Sequence, residues 1–315
     1  MSSPLAALSL LVVATLTAQQ PSPEQAPTQP PQELGKVTFG RDLDAALATS
    51  KQTGRPVFLL FQEIPGCATC TGFGKDVLSH PLLVEAIERE FVPVVVRNNV
   101  EGPEGEIRKR FVEPAWNNPV VRFLDGQQRD LLPRRDGVFD PHGIATRMAE
   151  ALAAAKRPLP GYLQIARDES DRRTERAVFA MHCFWEGEAV LGALDGVVAT
   201  RSAFHDGAEV VEVTFLPARI GREPLTQAAA AKSCRPVVAD AVKAAPSSDQ
   251  QHALGGTLYG KLPLTPMQRT KVHAALTLAG AAAERDADAW LSPSQVAELA
   301  RLRAAARADR SSDTK

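Results

Sequence analysis

The sequence predicts an α/β domain followed by an α+β domain. Two continuous apolar runs, at residues 56–62 and 92–97, have the length and composition of strands buried inside a sheet, and a helical pattern at residues 82–91 separates them. A third apolar run at residues 177–181 leads into a helical segment, and a further strand follows at residues 210–215. The 315 residues are enough for two domains, each with a core of its own.

The N-terminus has the pattern of an exported protein. Residues 5–16 are almost wholly apolar, too short a run to cross a bilayer comfortably, and a Pro- and Gln-rich stretch follows. We therefore expect a signal peptide over residues 1–18, a disordered spacer over residues 19–35, and a secreted or periplasmic protein with no membrane contact after cleavage. The 36 Lys and Arg residues balance 37 Asp and Glu residues, so the charge indicates neither nucleic acid nor an anionic membrane surface as a partner.

Two of the four cysteines form a C-x-x-C motif. Cys67 and Cys70 follow the predicted strand at residues 56–62 and precede a helical segment. In this position the first sulfur lies exposed at a helix N-terminus, so the motif predicts a redox dithiol with Cys67 as the attacking thiol and Cys70 as its buried partner. Two alternatives are a purely structural disulfide and a zinc site. A structural zinc site has four ligands, and no second pair of cysteines has matching spacing.

The first half of the chain resembles the thioredoxin fold. The resemblance rests on the C-x-x-C motif after a buried strand and on residues 118–126, which resemble the family's cis-proline strand and its Asp-Gly turn. It implies that Pro119 is the cis-proline and that the thioredoxin-like domain covers residues 36–157. Two prolines and a glycine at residues 156–162 predict a linker, which we assign to residues 158–172.

A second strand-to-helix junction carries Cys183. Residues 177–188 read AVFAMHCFWEGE, and the cysteine stands where the apolar strand ends and the helical segment begins. The positive end of a helix dipole and its unpaired backbone N–H groups favour a thiolate, which makes Cys183 a candidate nucleophile. The alternative is a buried structural cysteine beside a Phe-Trp core pair. Glu186 and Glu188 are most simply interpreted as solvated helix residues.

Residues 173–280 resemble the A-type peptide-methionine sulfoxide reductases, which are specific for the S-sulfoxide. The segments that carry the resemblance follow the family's order and are residues 182–185 (HCFW), 207–211 (GAEVV), 256–259 (GTLY) and 265–268 (TPMQ). The resemblance implies a methionine sulfoxide reductase A-like domain with a ferredoxin-like α+β fold over residues 173–290. A C-terminal helix and tail follow over residues 291–315.

The resemblance also implies the roles of four residues in sulfoxide reduction. Cys183 attacks the sulfur, Glu209 donates a proton to the sulfoxide oxygen, and Tyr259 hydrogen-bonds that oxygen. The attack leaves a sulfenic acid on Cys183, which condenses readily with a nearby thiol. Cys234 is the other cysteine of this half, and it is either the resolving thiol or a buried residue.

Three aromatic residues are implied to bind the substrate. Phe184 and Trp185 form the pocket for the S-methyl group, and Phe204 falls at the position of the family's second oxygen-binding tyrosine, without its hydroxyl. The family's Asp before the Gly-Thr pair is Leu254 here, and the loop between Phe204 and Glu209 is shorter than in the family.

These features together predict an exported thiol-dependent reductase of methionine-S-sulfoxide in proteins or peptides, with the N-terminal dithiol as internal electron donor. We expect no metal and no organic cofactor. The expected partners are proteins or peptides that contain methionine sulfoxide, and an upstream dithiol reductant. The alternative is a thiol-disulfide oxidoreductase whose C-terminal domain is a non-catalytic binding module for Met-rich or oxidised clients.

Overall fold

The computed structural model describes residues 31–115 and 119–312. The predicted signal peptide and most of the predicted spacer lie outside these residues. So does the predicted cis bond between Asn118 and Pro119, because it includes Asn118. Within the described ranges, no helix is both long enough and apolar enough to pass through a membrane.

The N-terminal part is built on a three-stranded sheet with helices around it. Its strands are β1 at Val57–Gln62, β2 at Val92–Arg97 and β3 at Val120–Leu124, and its helices are α1 at Leu43–Thr53, α2 at Ala68–Asp76, α3 at Pro81–Glu90, α4 at Pro103–Arg110, α5 at Pro141–Ala154 and α6 at Gly161–Glu169. The strand order is β2-β1-β3, with β1 parallel to β2 and antiparallel to β3. Every residue of β1 is buried, which explains its continuous apolar run.

Apolar side chains cover both faces of this sheet. Because successive residues of a strand point to opposite faces, β1 contributes Phe58 and Leu60 to one core cluster and Leu59 and Phe61 to another. The first cluster packs against α2, α3 and α5, and the second packs against α1. The sheet is therefore the middle layer of an α/β domain.

The end of the predicted spacer is folded. Gln32–Leu34 forms a 3-10 turn, and Glu33 within it is buried. This turn lies directly on α2: a Cβ at Gly74 would come within 2.0 Å of the Gln32 carbonyl oxygen, so only glycine fits there. The prediction of disorder over residues 19–35 is therefore wrong for residues 31–35, because the turn packs on the helix.

The predicted linker at residues 158–172 is largely a helix. α6 buries Tyr162, Leu163 and Ile165 in the core cluster that α2, α3 and α5 share. Pro160 is the N-cap of α6, where a proline starts a helix instead of separating two domains. The linker prediction is corrected accordingly: α6 belongs to the core of the first sheet.

The C-terminal part is built on a five-stranded antiparallel sheet. Its strands are β4 at Glu175–Ala180, β5 at Val197–His205, β6 at Ala208–Phe215, β7 at Arg235–Val237 and β8 at Lys243–Ala244, with α7 at Phe184–Gly192 and α8 at Arg222–Ala230 between them. The strand order is β7-β4-β6-β5-β8, and each neighbouring pair is antiparallel. Without the short β8, the β-α-β-β-α-β sequence of elements and the order of the strands are those of a ferredoxin-like topology.

Three further helices complete the described chain, α9 at Pro266–Leu278, α10 at Ala283–Asp288 and α11 at Pro293–Ser312. α9 begins with a capping box, in which Thr265 accepts a hydrogen bond from the Gln268 N–H and the Gln268 side chain accepts one from the Thr265 N–H. The TPMQ segment therefore has a local cause, the start of a helix, in addition to its family resemblance.

The two sheets share one core at one end of the second sheet. Val198 at the start of β5 and Leu216 after β6 lie in the same apolar cluster as the helices of the first sheet. β4 runs away from this end, since its last residue, Ala180, pairs with Val210, and Cys183 follows. The six steps from Val210 to Leu216 correspond to about 20 Å of strand. Cys183 thus lies at the end of the sheet that faces away from the first domain.

Candidate redox sites

Cys67 and Cys70 lie where β1 leads into α2. Cys67 is the N-cap of α2 and is exposed, whereas Cys70, one turn into the helix, is fully buried. Both are free thiols, and their Sγ atoms are 3.7 Å apart. One sulfur is therefore open to a partner molecule, and the second lies directly behind it.

The two thiols differ in acidity. The backbone N–H of Cys70, in the first turn of α2, stabilises the Cys67 thiolate and lowers the pKa of that thiol. Burial raises the pKa of the Cys70 thiol to about 11, and its hydrogen bond with Cys67 adds to the increase. Cys67 is thus the thiol that loses its proton first, as required of the attacking sulfur.

Two polar residues that the sequence did not indicate as part of the site hold the loop before Cys67. The Glu33 carboxylate accepts a hydrogen bond from the Gly66 N–H at 2.7 Å. The Gln62 side-chain amide donates to the Glu33 carbonyl and, at 3.4 Å, to the Cys70 carbonyl. Gln62 is fully buried at the end of β1. The polar Gln62 at the end of an apolar run is a sequence signal for a structural role next to the C-x-x-C motif. No local signal connects Glu33 to a loop so distant in the sequence.

The predicted cis-proline lies at the start of β3. Pro119 is buried there, and its bond to Asn118 falls outside the described residues, so the cis geometry of that bond stays a prediction. Within the described residues, the cis peptide bond is Ile64–Pro65, in the loop that leads to Cys67. Asn99 holds this loop through hydrogen bonds with the Ile64 N–H and the Pro65 carbonyl.

One group of side chains in the described ranges could hold a metal ion. A carboxylate oxygen of Glu63 lies with the Cys67 and Cys70 sulfurs in a group whose atoms are all within 4.8 Å of one another. The sequence did not indicate Glu63 as a ligand, because a single glutamate before a C-x-x-C motif matches no zinc-ligand spacing.

Cys183 lies where β4 leads into α7. It is the N-cap of α7 and is half-buried. Glu209 is near the start of β6, and its Oε2 accepts a hydrogen bond from the Phe184 N–H at 2.8 Å. The register explains this proximity, since Ala180 at the end of β4 pairs with Val210. The structure therefore brings the predicted nucleophile and the predicted proton donor to the same helix N-terminus.

Two aromatic contacts border this helix N-terminus. Phe184 is buried and packs edge-to-face against Phe204, with ring centroids 5.5 Å apart. The Trp185 side chain is 38% exposed and stacks on the His252 ring at a centroid distance of 4.1 Å. His252 was not predicted, because it comes from a 3-10 turn far along the chain and belongs to no motif. The three predicted aromatic residues thus form a partly open apolar surface at the start of α7.

Glu188 is fully buried, and its interpretation as a solvated helix residue is wrong. Its carboxylate accepts hydrogen bonds from the Ser202 N–H on β5 at 3.2 Å and from the Gln251 N–H at 2.8 Å. Burial raises the pKa of this carboxyl. Glu188 therefore joins α7 to the sheet and to the segment that carries His252.

Lys271 of α9 is buried against the end of α7. Its ammonium donates to the carbonyl of Gly192, the last residue of α7, and to that of Leu194 just beyond the helix, both at 2.8 Å. Burial lowers the pKa of Lys271 to about 8. The side chain thus stabilises the C-terminal end of the helix that begins after Cys183.

His273, also on α9, is buried and bonded at both ring nitrogens. Nδ1 accepts from the Ala253 N–H at 3.2 Å, which leaves the proton on Nε2 to donate to the Trp185 carbonyl at 3.2 Å. Burial lowers the pKa of His273 to about 4. The neutral ring therefore connects the first turn of α7 with the segment next to His252.

Cys234 follows α8 instead of lying on it, and it is buried in the core of the second sheet. Burial raises the pKa of its thiol, and the negative charge of Glu186 adds to this increase. The next residue, Arg235, pairs with Ala180 at the end of β4, three residues before Cys183. The chain therefore approaches the Cys183 junction here, while the role of Cys234 as resolving thiol stays a prediction.

Tyr259 is bonded to the C-terminal helices. Its hydroxyl donates to Asp288 at 2.6 Å and accepts from Arg303 at 3.0 Å. Its ring is buried in an apolar cluster with residues of α9, α10 and α11, and burial raises the pKa of the phenol. Within the described residues, these contacts give the hydroxyl a structural role. The family resemblance implied instead that the hydroxyl points toward Cys183 and Glu209 and binds the substrate oxygen.

The N-terminal part of the chain is similar to known thioredoxin-like proteins. Residues 38–126, which include β1, β2, β3 and both cysteines of the C-x-x-C motif, match a thioredoxin-like family. Among solved structures, a DsbH oxidoreductase is similar with 20% identity and a TM-score of 0.32, over 43% of this chain and 95% of that chain. No curated protein matches the sequence. Residues 38–126 therefore form a thioredoxin-like domain.

Proposed function

We propose that this protein is an exported thiol-dependent reductase with two sulfur sites. Cys183 reduces methionine-S-sulfoxide in peptides or proteins, and the Cys67–Cys70 dithiol supplies the electrons. One observation supports this proposal most directly: the Glu209 carboxylate accepts a hydrogen bond at 2.8 Å from the N–H of Phe184, the residue that follows Cys183. Sulfoxide reduction needs a nucleophilic sulfur and a proton donor at one place, and this pair supplies both.

The proposed reaction balances with the thiol as the reductant. The thiol proton passes to Glu209 as the Cys183 sulfur attacks the sulfoxide sulfur, and Glu209 passes it on to the sulfoxide oxygen. Transfer of the resulting hydroxyl group to Cys183 breaks the substrate's sulfur–oxygen bond. Sulfoxide and thiol thus become thioether and sulfenic acid, with two electrons moved from Cys183 to the substrate.

The aromatic surface at the start of α7 suits the substrate. A methionine sulfoxide side chain ends in an apolar methyl group beside a polar sulfur–oxygen bond. The exposed part of Trp185 offers apolar surface to the methyl group, and the stacked His252 ring fixes the plane of the indole. The buried Phe184 and the partly buried Phe204 form the base of this surface.

Regeneration of the Cys183 thiol requires a second thiol, then the Cys67–Cys70 dithiol, and finally an upstream dithiol. The Cys183 sulfenic acid condenses with Cys234 to give a disulfide and water, which requires a local movement because Cys234 is buried. Cys67 then attacks this disulfide, and Cys70 resolves the mixed disulfide. Both cysteines of the second site become thiols again, while Cys67 and Cys70 become a disulfide that an upstream dithiol reduces.

Electron transfer between two chains is the alternative to exchange within one chain. Cys183 lies at the end of the second sheet that faces away from the shared core, about 20 Å along the strands. Direct exchange within one chain stays a prediction. A second copy of the chain can present its exposed Cys67 to this end without any rearrangement of the shared core.

A non-catalytic second domain is the other candidate, and the tyrosine positions favour it. Phe204 has no hydroxyl, and the Tyr259 hydroxyl is bonded to Asp288 and Arg303. Glu209 would then have to polarise the sulfoxide oxygen without a tyrosine. In this alternative, Trp185 and Cys183 belong to a binding surface for Met-rich or oxidised clients, and thiol-disulfide exchange at Cys67 is the activity.

Turnover with a chemical dithiol separates the two candidates. We expect the full chain to reduce a peptide methionine-S-sulfoxide with a small dithiol as reductant, and the Cys183→Ser variant to be inactive. The double variant Cys67→Ser, Cys70→Ser serves as the matched control, because a chemical dithiol bypasses the first site. A wild-type chain that exchanges disulfides through Cys67 and leaves both sulfoxide epimers unchanged would establish the binding-module alternative.

A further inference from the structure

We propose that the reduced Cys67 and Cys70 thiols bind one Zn²⁺ ion together with Glu63. This site goes beyond the proposed function, because it requires neither a sulfoxide nor electron transfer. It involves residues of one short segment, the loop after β1 and the first turn of α2. Each of the three side chains offers one ligand atom, and these atoms lie within 4.8 Å of one another.

The distance between the sulfurs fits a tetrahedral thiolate site. Two sulfurs at Zn–S distances of about 2.3 Å and a tetrahedral angle lie about 3.8 Å apart. The Cys67 and Cys70 Sγ atoms are 3.7 Å apart. A zinc ion can therefore bind both sulfurs with almost no change in the first turn of α2.

Glu63 completes a set of three protein ligands. With Zn–O at about 2.1 Å, the carboxylate oxygen of a tetrahedral site lies about 3.6 Å from each sulfur. Glu63 therefore needs to move by about 1 Å, which a side-chain rotation provides because the residue is only half-buried. Within the described ranges, no hydrogen bond or ion pair that we find holds its carboxylate elsewhere.

The ligand chemistry selects zinc over other common ions. Thiolates are soft ligands, whereas Mg²⁺ and Ca²⁺ take oxygen ligands alone, and Cu(I) prefers sulfur without a carboxylate. Two thiolates and one carboxylate suit the borderline-soft Zn²⁺. Because Cys67 is exposed, the fourth coordination position faces solvent, as in zinc sites that keep one position open for water or an external ligand.

Zinc binding and disulfide formation exclude each other. The ion needs both sulfurs as thiolates, so binding releases the two thiol protons, moves no electrons and occurs only in the reduced state. A bound ion would in turn occupy the thiolate that attacks a partner disulfide. The site therefore protects the dithiol from oxidation and stops its exchange until the metal is removed.

Metal titration of the reduced, full-length chain tests this proposal. The double variant Cys183→Ser, Cys234→Ser is used because it removes the other thiols. Zn²⁺ is the only metal ion added, and a chromogenic chelator competes with the protein for it. We expect one zinc ion per reduced chain and none after oxidation of Cys67 and Cys70 to the disulfide. Co²⁺ in place of zinc should give the visible absorption of a tetrahedral thiolate complex.

The Glu63→Gln variant separates a three-ligand site from binding by two sulfurs. Loss of a ligand should weaken zinc binding by about tenfold or more. Glu101→Gln is the matched control, since Glu101 is an exposed carboxylate that pairs with Arg108 and Lys109. A reduced chain that binds no zinc, or a Glu63→Gln variant that binds it as tightly as Glu101→Gln, would overturn the proposal. Neither result bears on the proposed function, since disulfide exchange and sulfoxide turnover are assayed with a chelator present.

Discussion

The helices α2 and α7 start in the same way and differ in the chemical group that neighbours the N-cap cysteine. Each follows a strand, and each has a cysteine as its N-cap, Cys67 in one and Cys183 in the other. In α2, the neighbour of the sulfur is a second sulfur, Cys70, at 3.7 Å. In α7, the carboxylate of Glu209 occupies the first backbone N–H of the helix. The helix N-terminus favours the thiolate of Cys67, and the neighbouring group differs between the two sites, a thiol in α2 and a carboxylate in α7.

The two helices also differ in how they are held. The N-terminal turn with Glu33 and the side chain of Gln62 hold α2 and the loop before it through uncharged contacts and one carboxylate. Three buried ionisable side chains, Glu188, Lys271 and His273, hold α7. The second site should therefore respond to pH far more strongly than the first.

The largest effect that we expect comes from the neighbouring group of Cys183. In Glu209→Gln, the side-chain carbonyl can still accept from the Phe184 N–H, but the transferable proton is gone. Sulfoxide turnover should fall by about 10²-fold or more while Cys183 remains open to alkylation. The measurement is initial rate with a chemical dithiol, and Glu223→Gln on the exposed side of α8 is the control. Activity within about twofold of wild type would remove Glu209 from its role.

A second prediction concerns the pH response of α7. The unfolded chain takes up a proton on His273 near its ordinary pKa of 6.5, whereas burial lowers the folded value to about 4. The folded state thus binds fewer protons between these values, and stability falls as the pH falls through this window. The free energy of unfolding in urea should decrease by about 2 kcal/mol from pH 7 to pH 5 through this group.

The variant His273→Gln isolates this contribution, because glutamine does not titrate. The decrease between pH 7 and pH 5 should be smaller in the variant than in the wild type by about 2 kcal/mol. Equal decreases in both proteins would mean that His273 is not the group that makes the second site sensitive to acid.

The smallest expected effect is the difference in reactivity within α2. At pH 7, a thiol with a pKa of about 11 is ionised to about one part in 10⁴, and Cys67, with its pKa below 9.0, is ionised to more than about one part in 10². The weaker nucleophilicity of the more acidic thiolate offsets about one order of this difference. Alkylation followed by peptide mapping should label Cys67 at least about tenfold faster than Cys70. Preferential labelling of Cys70 would reverse the assignment of the attacking thiol.

The elements that the sequence predicted well have local causes. The inner strands β1 and β2 are visible because burial on both faces leaves a continuous apolar run. The C-x-x-C motif predicted an exposed Cys67 and a buried Cys70, since the first turn of a helix determines which side chain points inward. A local cause can also account for part of a family motif, as the capping box of Thr265 and Gln268 does for the TPMQ segment.

The features that the sequence did not predict depend on distant contacts. Glu33 lies in a Pro-rich stretch, and only the packing on α2 makes its turn part of the first site. α6 was interpreted as a linker because its flanking prolines resemble a spacer, although its apolar residues join the core. The position of Tyr259 is fixed by Asp288 and Arg303, which lie outside the motif that suggested its role.

Electron transfer between the two sites is tested most directly by disulfide trapping in the Cys70→Ser variant. Without Cys70, the mixed disulfide that Cys67 forms cannot be resolved, so it should accumulate when a peptide methionine sulfoxide is added. Peptide mapping should show Cys67 linked to Cys234 or Cys183, and a non-reducing gel shows whether the link lies within one chain or joins two chains. Oxidation of Cys183 by the sulfoxide without any disulfide of Cys67 would contradict transfer between the sites.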